Sequence, residues 1–325
     1  MIKKKLFASF LCLMVFTFFV QPSPVVRAAP ESLLGSGICN GPDTMTILVL
    51  GTDNRNNYYA EAASDVIMVY RVDFKDPGVT VIGIPRDLWV KIPEIGQYYR
   101  DPQITHFKLN SAYFYGGSLP DGKDFKPGSG ADLTKETLET NWGLEVDHTM
   151  VVNMIIFKYM VDAVGGIMIQ NPSPVYSKNR PGEVMFKPGG HYLDGQRAQL
   201  YGRYRDPSNE QDRVDRQSII LNGIWEAVFT PTVIPQIPGL VAVFRGNIIT
   251  DLHLAQISQL LCLASRLEKS DIVYTRIPKD MIMNRMTYFS PYDGYVFNWV
   301  EKEEGSIRNI LTRFQEGNYP PPKRD

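Results

Sequence analysis

Excess charge of either sign is missing from this chain. Its 34 basic and 35 acidic residues leave a formal net charge of −1. Bulk electrostatics therefore do not recruit nucleic acid. Histidine is scarce: His106, His148, His191 and His253 stand far apart, with no metal-ligand spacing. Three cysteines are too few for a disulfide scaffold. There is no Walker A loop, no G-x-G-x-x-G and no G-x-S-x-G elbow. Phosphate-loop NTPases, dinucleotide-binding folds and serine hydrolases of the elbow type are thereby set aside. A hydrophobic content of 44% with 21% charged residues excludes a disordered chain and predicts a substantial core.

Long apolar runs are confined to the N-terminus. Lys3, Lys4 and Lys5 precede an apolar stretch from Leu6 to Val20, and a small-residue tail of Val26, Arg27, Ala28 and Ala29 follows. Residues 1–29 read as an export signal, either cleaved or kept as an anchor. Both readings put the rest of the chain outside the cytoplasm, secreted or held at the outer face of the cell membrane. Loss of this segment removes four basic residues and no acidic one, leaving the remainder mildly acidic. Cys12 lies in that segment. Cys39 and Cys262 remain, either paired in an oxidising compartment or as two separate buried thiols.

Residues 30–44, rich in Gly, Ser and Pro, read as a linker, with a single domain over 45–320. Three apolar runs, Thr46–Leu50, Val66–Val72 and Val79–Ile84, predict strands covered on both faces. Leu88–Ile92 is a short fourth strand. Phe107–Tyr115 is helix-like and 116–131 is a glycine-rich loop. Ala131–Trp142 predicts a helix and His148–Asn153 a strand. Phe157, Met160, Val161 and Val164 then mark a helix ended by Gly165 and Gly166. Residues 171–194, with four prolines, read as a connection. Helices are expected at 196–204, from Asp212 onward, at 251–267 and near 304–315, with a strand at 271–277. Interleaved α and β signals predict one large α/β domain.

Three charged constellations fall in loops or at strand ends, where α/β folds place their sites. Asp53 follows the first strand and Asp65 opens the second. Side by side, their carboxylates suit Mg²⁺, and the alternative is turn chemistry. Arg86 closes the third strand in IPRD, as a phosphate clamp or as an ion pair with Asp87. Arg203, Arg205, Arg213, Arg216 and Gln217 fall within 15 residues. An extended stretch would put Arg203 and Arg205 on one face. Helical geometry would stack Arg213 on Gln217. Interspersed aspartates keep a solvated, salt-bridged face as the alternative.

In order, LVLGTDNR, SDV, IPRD, KLNSAYFYGG, VVNMIIFKYMVDAVGG, LDGQRAQLYGRYR and DRVDRQ make the chain resemble the LytR-CpsA-Psr family from residue 46 to about 228. The resemblance implies an αβα sandwich with a central mixed sheet and an apolar channel for lipid. It implies a membrane-associated, extracytoplasmic phosphotransferase assisted by Mg²⁺. Such an enzyme moves a glycopolymer, such as teichoic acid, from a polyprenyl-pyrophosphate carrier to peptidoglycan. By motif, Asp53 and Asp65 match the metal-associated aspartates and Arg86 the arginine of the PRD motif. Arg203 and Arg205 match the pyrophosphate-holding pair. Arg213 and Gln217 match residues of the following helix, and Lys108 more loosely matches a substrate-binding lysine. The family often reads R-S-D-T where this chain has Ala63, Ser64, Asp65 and Val66, so one arginine and one hydroxyl are missing. Two other readings share these residues: a pyrophosphatase acting on the same lipid donor, and a non-enzymatic lipid-binding envelope protein.

Overall fold

The first strand owes its unbroken apolar run to a sheet covered on both sides. The computed structural model describes residues 37–53, 62–117, 129–177, 180, 182–204, 210–228, 230, 233, 239 and 247–320. The expected export signal over residues 1–29 and residues 30–36 of the expected linker lie outside them. Along the chain come β1 (Thr44–Thr52), β2 (Ser64–Asp73), β3 (Gly78–Gly83), β4 (Trp89–Lys91), α1 (Ile95–Tyr99), β5 (His106–Lys108), α2 (Ser111–Gly117) and α3 (Ser129–Trp142). Next are β6 (His148–Asn153), α4 (Met154–Ala163), β7 (Ile167–Asn171), β8 (Val175–Tyr176), β9 (Val184–Phe186), β10 (Gly189–Leu193), α5 (Gly195–Arg203) and α6 (Glu210–Val228). The last are β11 (Ile249–Thr250), α7 (Leu254–Ala264), β12 (Ile272–Arg276), β13 (Ile282–Phe289), β14 (Gly294–Glu301) and α8 (Ser306–Gln315).

A six-stranded mixed sheet runs in the order β11-β6-β1-β2-β3-β12. β1 pairs antiparallel with β2 and parallel with β6, and β12 lies parallel to β3. Alternation sorts the side chains. Leu48, Leu50, Ile67, Val69, Ile82 and Val151 enter the main core, which Leu138 of α3 and Ile307, Leu311 and Phe314 of α8 complete. Ile47, Val49, Met68, Tyr70, Met150 and Val152 point to the other face, under α6 and α7. The result is a mixed α/β sandwich. A smaller cluster unites Val161 of α4, Ile167 and Ile169 of β7, Ala198 and Tyr201 of α5 and Ile220 of α6. Among the described residues no helix is long and apolar enough to cross a membrane.

Several expectations need correction. Phe107 and Lys108 form strand β5 against β4, and the helix starts only at Ser111. The alternation that buries Phe107 and Leu109 is a strand period. The connection 171–194 holds three short strands, β8 to β10, because Val175, Phe186 and Leu193 bury against α5 and α6. The hairpin β13–β14 went unpredicted, although alternating runs flank a Pro-Tyr-Asp-Gly turn. Of the two choices for the cysteines, the structure takes pairing. Cys39 and Cys262 form a disulfide with Cα atoms 5.8 Å apart. Part of the expected linker is consequently built into the fold, with the Ile38 N–H donating to the Phe74 carbonyl at 3.0 Å.

The disulfide ties the start of the fold to α7 across 223 residues of sequence. Closing so long a loop restricts the unfolded chain strongly. Cys39→Ser is expected to lower stability by roughly 2–5 kcal/mol. Denaturant titration of oxidised wild type and variant would measure it, and reduction of the wild type should reproduce the loss.

Candidate functional site

The antiparallel pairing of β1 and β2 brings the end of one strand beside the start of the other. Thr52 lies opposite Ser64, and the Asp53 N–H donates to the Ala63 carbonyl at 3.4 Å. Asp53 and Asp65 therefore sit at the same end of adjoining strands. β3 ends there too, and places Arg86 behind them. The Arg86 guanidinium donates from Nη1 to Asp65 Oδ1, and from Nε to Asp87 Oδ2 at 3.3 Å. Lys108 Nζ donates to Asp87 Oδ1 at 2.9 Å. Backbone bonds lock the layers: the Asn110 N–H to the Arg86 carbonyl at 2.9 Å, and the Ser64 N–H to the Asn110 carbonyl at 3.1 Å.

Arg86 is only 4% exposed. A cation buried that deeply is tolerated because carboxylates accept its hydrogen bonds. Burial alone would push the Asp87 carboxyl up. The cations Arg86, Lys108 and Arg213 outweigh it and hold the group below the usual carboxylate range. Both readings of Arg86 thus share a geometry: it forms the ion pair with Asp87 and also reaches the aspartate of the strand end.

On the other side of Asp65 stands α6. A side chain on Gly83 would meet Val214 Cγ1 at 2.4 Å, so only glycine lets the helix close onto the end of β3. Arg213, also 4% exposed, then donates from Nη1 to the Asp65 carbonyl at 2.8 Å. Gln217 lies one turn further along the same wall. Two of the interspersed acids turn elsewhere: Asp212 accepts from Lys279 at 2.8 Å and Asp215 from Arg276 at 2.5 Å. Arg216 donates to the Tyr204 carbonyl and so holds the end of α5. Arg203 closes α5 and is exposed, where a cation complements the C-terminal end of a helix. That corrects the extended geometry considered for it. Arg205 lies outside the described residues.

Part of this cluster rims a cavity of about 1020 Å³. Thr52, Asp65, Asn153, Arg203, Arg213 and Gln217 border it at the strand ends. Its walls are apolar: Val49, Met68 and Met150 from the sheet, Ile224 and Trp225 from α6, Leu260 and Leu263 from α7. Along β1 it extends from Thr52 to Ile47, about 17 Å at the rise of an antiparallel strand. Tyr70 and Tyr274 line it deeper in. Burial, and then Tyr274, raise the Tyr70 phenol. Burial, and then Glu226, push Tyr274 up to about 12. Both phenols stay neutral near pH 7, so the depth of the cavity carries no phenolate charge.

Sequence reasoning missed Thr52 and Asn153. Thr52 is buried and its hydroxyl has no hydrogen-bond partner among the described residues. Asn153 caps α4, accepting from the Ile156 N–H at 2.8 Å. LGTDNR and VVNM held both, but as neighbours of charged residues rather than as charges. Two carboxylates beside an unpartnered hydroxyl are hard oxygen donors of the kind Mg²⁺ takes when it shares phosphate oxygens. Asp53, Asp65 and Thr52 are thus the residues that fit such an ion. Lys108 stands back from the cavity wall, bonded to Asp87.

A family model described as the LytR_cpsA_psr family matches residues 26–303. The chain is 30% identical over 216 residues to a polyisoprenyl-teichoic acid–peptidoglycan teichoic acid transferase, TagU, of Enterococcus faecalis. That match covers 66% of this chain and 63% of the relative, so less than two thirds of the transferase is represented. Among solved structures, TagV of B. subtilis superposes with a TM-score of 0.62 at 23% identity, covering 84% of this chain and 98% of that one. TagT bound to LIIa-WTA gives 0.59 at 21% identity, covering 85% and 91%. At such identities these two structures show the shared fold.

The Asp87 arrangement has a defined pH signature. A carboxylate held below its unfolded value stabilises the fold above that value, near pH 4, and loses the contribution as pH falls through the lower folded one. Asp87→Asn should cost on the order of 3 kcal/mol at pH 7 by leaving Arg86 and Lys108 short of a counter-charge. The gap to wild type should close in strong acid, as urea titrations across pH would record.

Proposed function

Since the chain belongs to the LytR-CpsA-Psr family, we propose that it is an extracytoplasmic phosphotransferase. In this reading it moves a glycopolymer from a polyprenyl-pyrophosphate carrier to peptidoglycan at the outer surface of the membrane. One observation carries the reading: a largely apolar cavity bordered at the strand ends by Asp65, Arg203, Arg213 and Gln217. A polyprenyl chain is apolar throughout and ends in a pyrophosphate, and that polarity is the cavity's own. The teichoic acid transferase named among the relatives acts on a substrate pair of the same kind.

The apolar walls hold the lipid by burying its surface. Arg203, with Arg205, grips the pyrophosphate as it leaves the walls. Arg213 and Gln217 face it from α6. Charge-assisted donors are needed there, because a pyrophosphate drawn toward an apolar cleft without counter-charge is prohibitively costly. Asp53 and Asp65, with the Thr52 hydroxyl, would hold Mg²⁺, which supplies Lewis-acid stabilisation of phosphate oxygens. Arg86 positions Asp65 from behind through its ion pair, and Lys108 with Arg86 holds the Asp87 carboxylate. A sugar hydroxyl of the acceptor forms the new oxygen–phosphorus bond and gives its proton to a carboxylate or water at the rim. The bond to the bridging oxygen breaks, and polyprenyl phosphate departs. Phosphoryl transfer of this type depends on positioning and electrostatics, which agrees with a rim lacking any nucleophilic triad.

Arg203→Ala should reduce transfer by roughly 10²–10³-fold, the scale for removing one preorganised charge donor. Exposed at a helix end, it should leave thermal unfolding nearly unchanged. The assay joins a polyprenyl-pyrophosphate glycan to peptidoglycan fragments with the full chain and Mg²⁺, and identifies products by mass. Phosphodiester-linked polymer supports the proposal. Free phosphorylated polymer would make the protein a pyrophosphatase. Bound lipid without turnover would make it a carrier.

A further inference from the structure

The hairpin β13–β14 carries an aromatic face that the cavity does not use. Tyr288 pairs with Tyr295, Met286 with Phe297 and Asn284 with Trp299, so these six side chains share one face. Four of them stand open: Tyr295 is 69% exposed, Met286 55%, Tyr288 52% and Phe297 40%. Contiguous apolar surface of this kind marks a binding site more often than chance exposure does. The opposite face is anchored to the fold at its Phe289 end, while Met283 and Arg285 on it stay exposed. Phe289 is buried in the main core with Val296 packed against it, and Asn298 Nδ2 donates to Thr287 Oγ1 at 2.8 Å. The hairpin is therefore seated, with its aromatic side outward.

Its root lies behind the charged rim, joined to it through Arg86. Leu88 bridges to Trp299, and the Trp299 N–H donates to the Asp87 carbonyl at 2.9 Å. The side chain of that same Asp87 receives Arg86, which reaches Asp65. From this root, Trp299, Phe297 and Tyr295 step outward along β14 for about 13 Å. Phe297 and Trp299 meet edge to face at 5.9 Å, and Tyr288 and Tyr295 at 5.6 Å.

The chemistry of the face is aromatic and nearly uncharged. Between Ile282 and Val300 the only cationic or carboxylate side chains are Arg285 and Asp293. Asp293 accepts a hydrogen bond from the Tyr288 hydroxyl at 2.8 Å. An anionic membrane surface calls for clustered lysine and arginine, which this hairpin lacks. Aromatic rings with a negative π-face suit the C–H faces of sugar rings, and tyrosine hydroxyls suit their hydroxyl groups.

We propose that this face is the acceptor subsite, on which a glycan strand of peptidoglycan stacks with its reacting hydroxyl directed to the rim. The inference rests on the phosphotransfer reading above. The donor lipid fills the cavity, so the acceptor arrives from outside, and the hairpin is an aromatic surface tied to Asp65 of that border through Asp87 and Arg86.

The test measures binding of the full chain, without donor, to glycan fragments released from peptidoglycan by a muramidase. The double variant Tyr295→Ala, Phe297→Ala should weaken binding at least tenfold while retaining a polyprenyl phosphate as tightly as wild type. Tyr295→Trp, which keeps a ring, should bind glycan normally, and melting curves should show all variants folded. In transfer assays the double variant should raise KM for the acceptor. Equal glycan affinity of wild type and double variant overturns the proposal. So does a loss confined to phosphatidylglycerol vesicle binding or to self-association in sedimentation. Because binding is read without donor, the two proposals fail separately. Glycan binding that depends on the hairpin, in a protein that transfers nothing, upholds the subsite and removes only the reaction.

Discussion

A buried guanidinium between two carboxylates organises this molecule. Arg86 bonds Asp65 of one strand and Asp87 of its own turn, and Lys108 and Arg213 complete the charge balance around them. Removing any one partner strands a charge in a region with little water to solvate it. The cluster therefore forces β2, the turn after β3, β5 and α6 into fixed relation. Its position is no accident of packing, because the same bonds hold the carboxylates at the mouth of the cavity. Stability and chemistry draw on one set of contacts there.

The sheet serves two opposed purposes with one run of sequence. Side chains alternate across it, so each strand contributes half its residues to a filled core and half to the wall of a space kept open. The filled side supplies rigidity. The open side is mostly apolar, with the neutral hydroxyls of Tyr70 and Tyr274 along it and charged residues at its borders. α6 and α7 roof that space, and the close approach of Val214 to Gly83 sets where the roof meets the sheet.

Much of this was legible in the residues. Continuous apolar runs announced strands covered on both faces, and Gly165 and Gly166, both in the left-handed region at φ of 81°, ended α4 where expected. Asp53, Asp65, Arg86, Arg213 and Gln217 stand at one end of the sheet. What stayed hidden had physical causes. Asp212 and Asp215 concealed the arginine cluster, because a linear sequence does not say which acids turn to Lys279 and Arg276. Phe107 and Leu109 carry a strand period too short to separate from the helix that follows. Thr52 declares itself only through burial without a partner. Arg86 proved to be a support behind the rim, a role that depends on depth, and depth is not written in order along the chain.

The covalent link between Cys39 and Cys262 encloses Asp53, Asp65, Arg86, Arg203, Arg213 and Gln217 in one closed ring of backbone. A single peptide bond cut anywhere within that ring leaves the two pieces attached to each other. A molecule nicked there keeps its rim groups tethered together. The hairpin β13–β14 lies beyond the ring, and one cut in its turn releases everything that follows from all covalent hold.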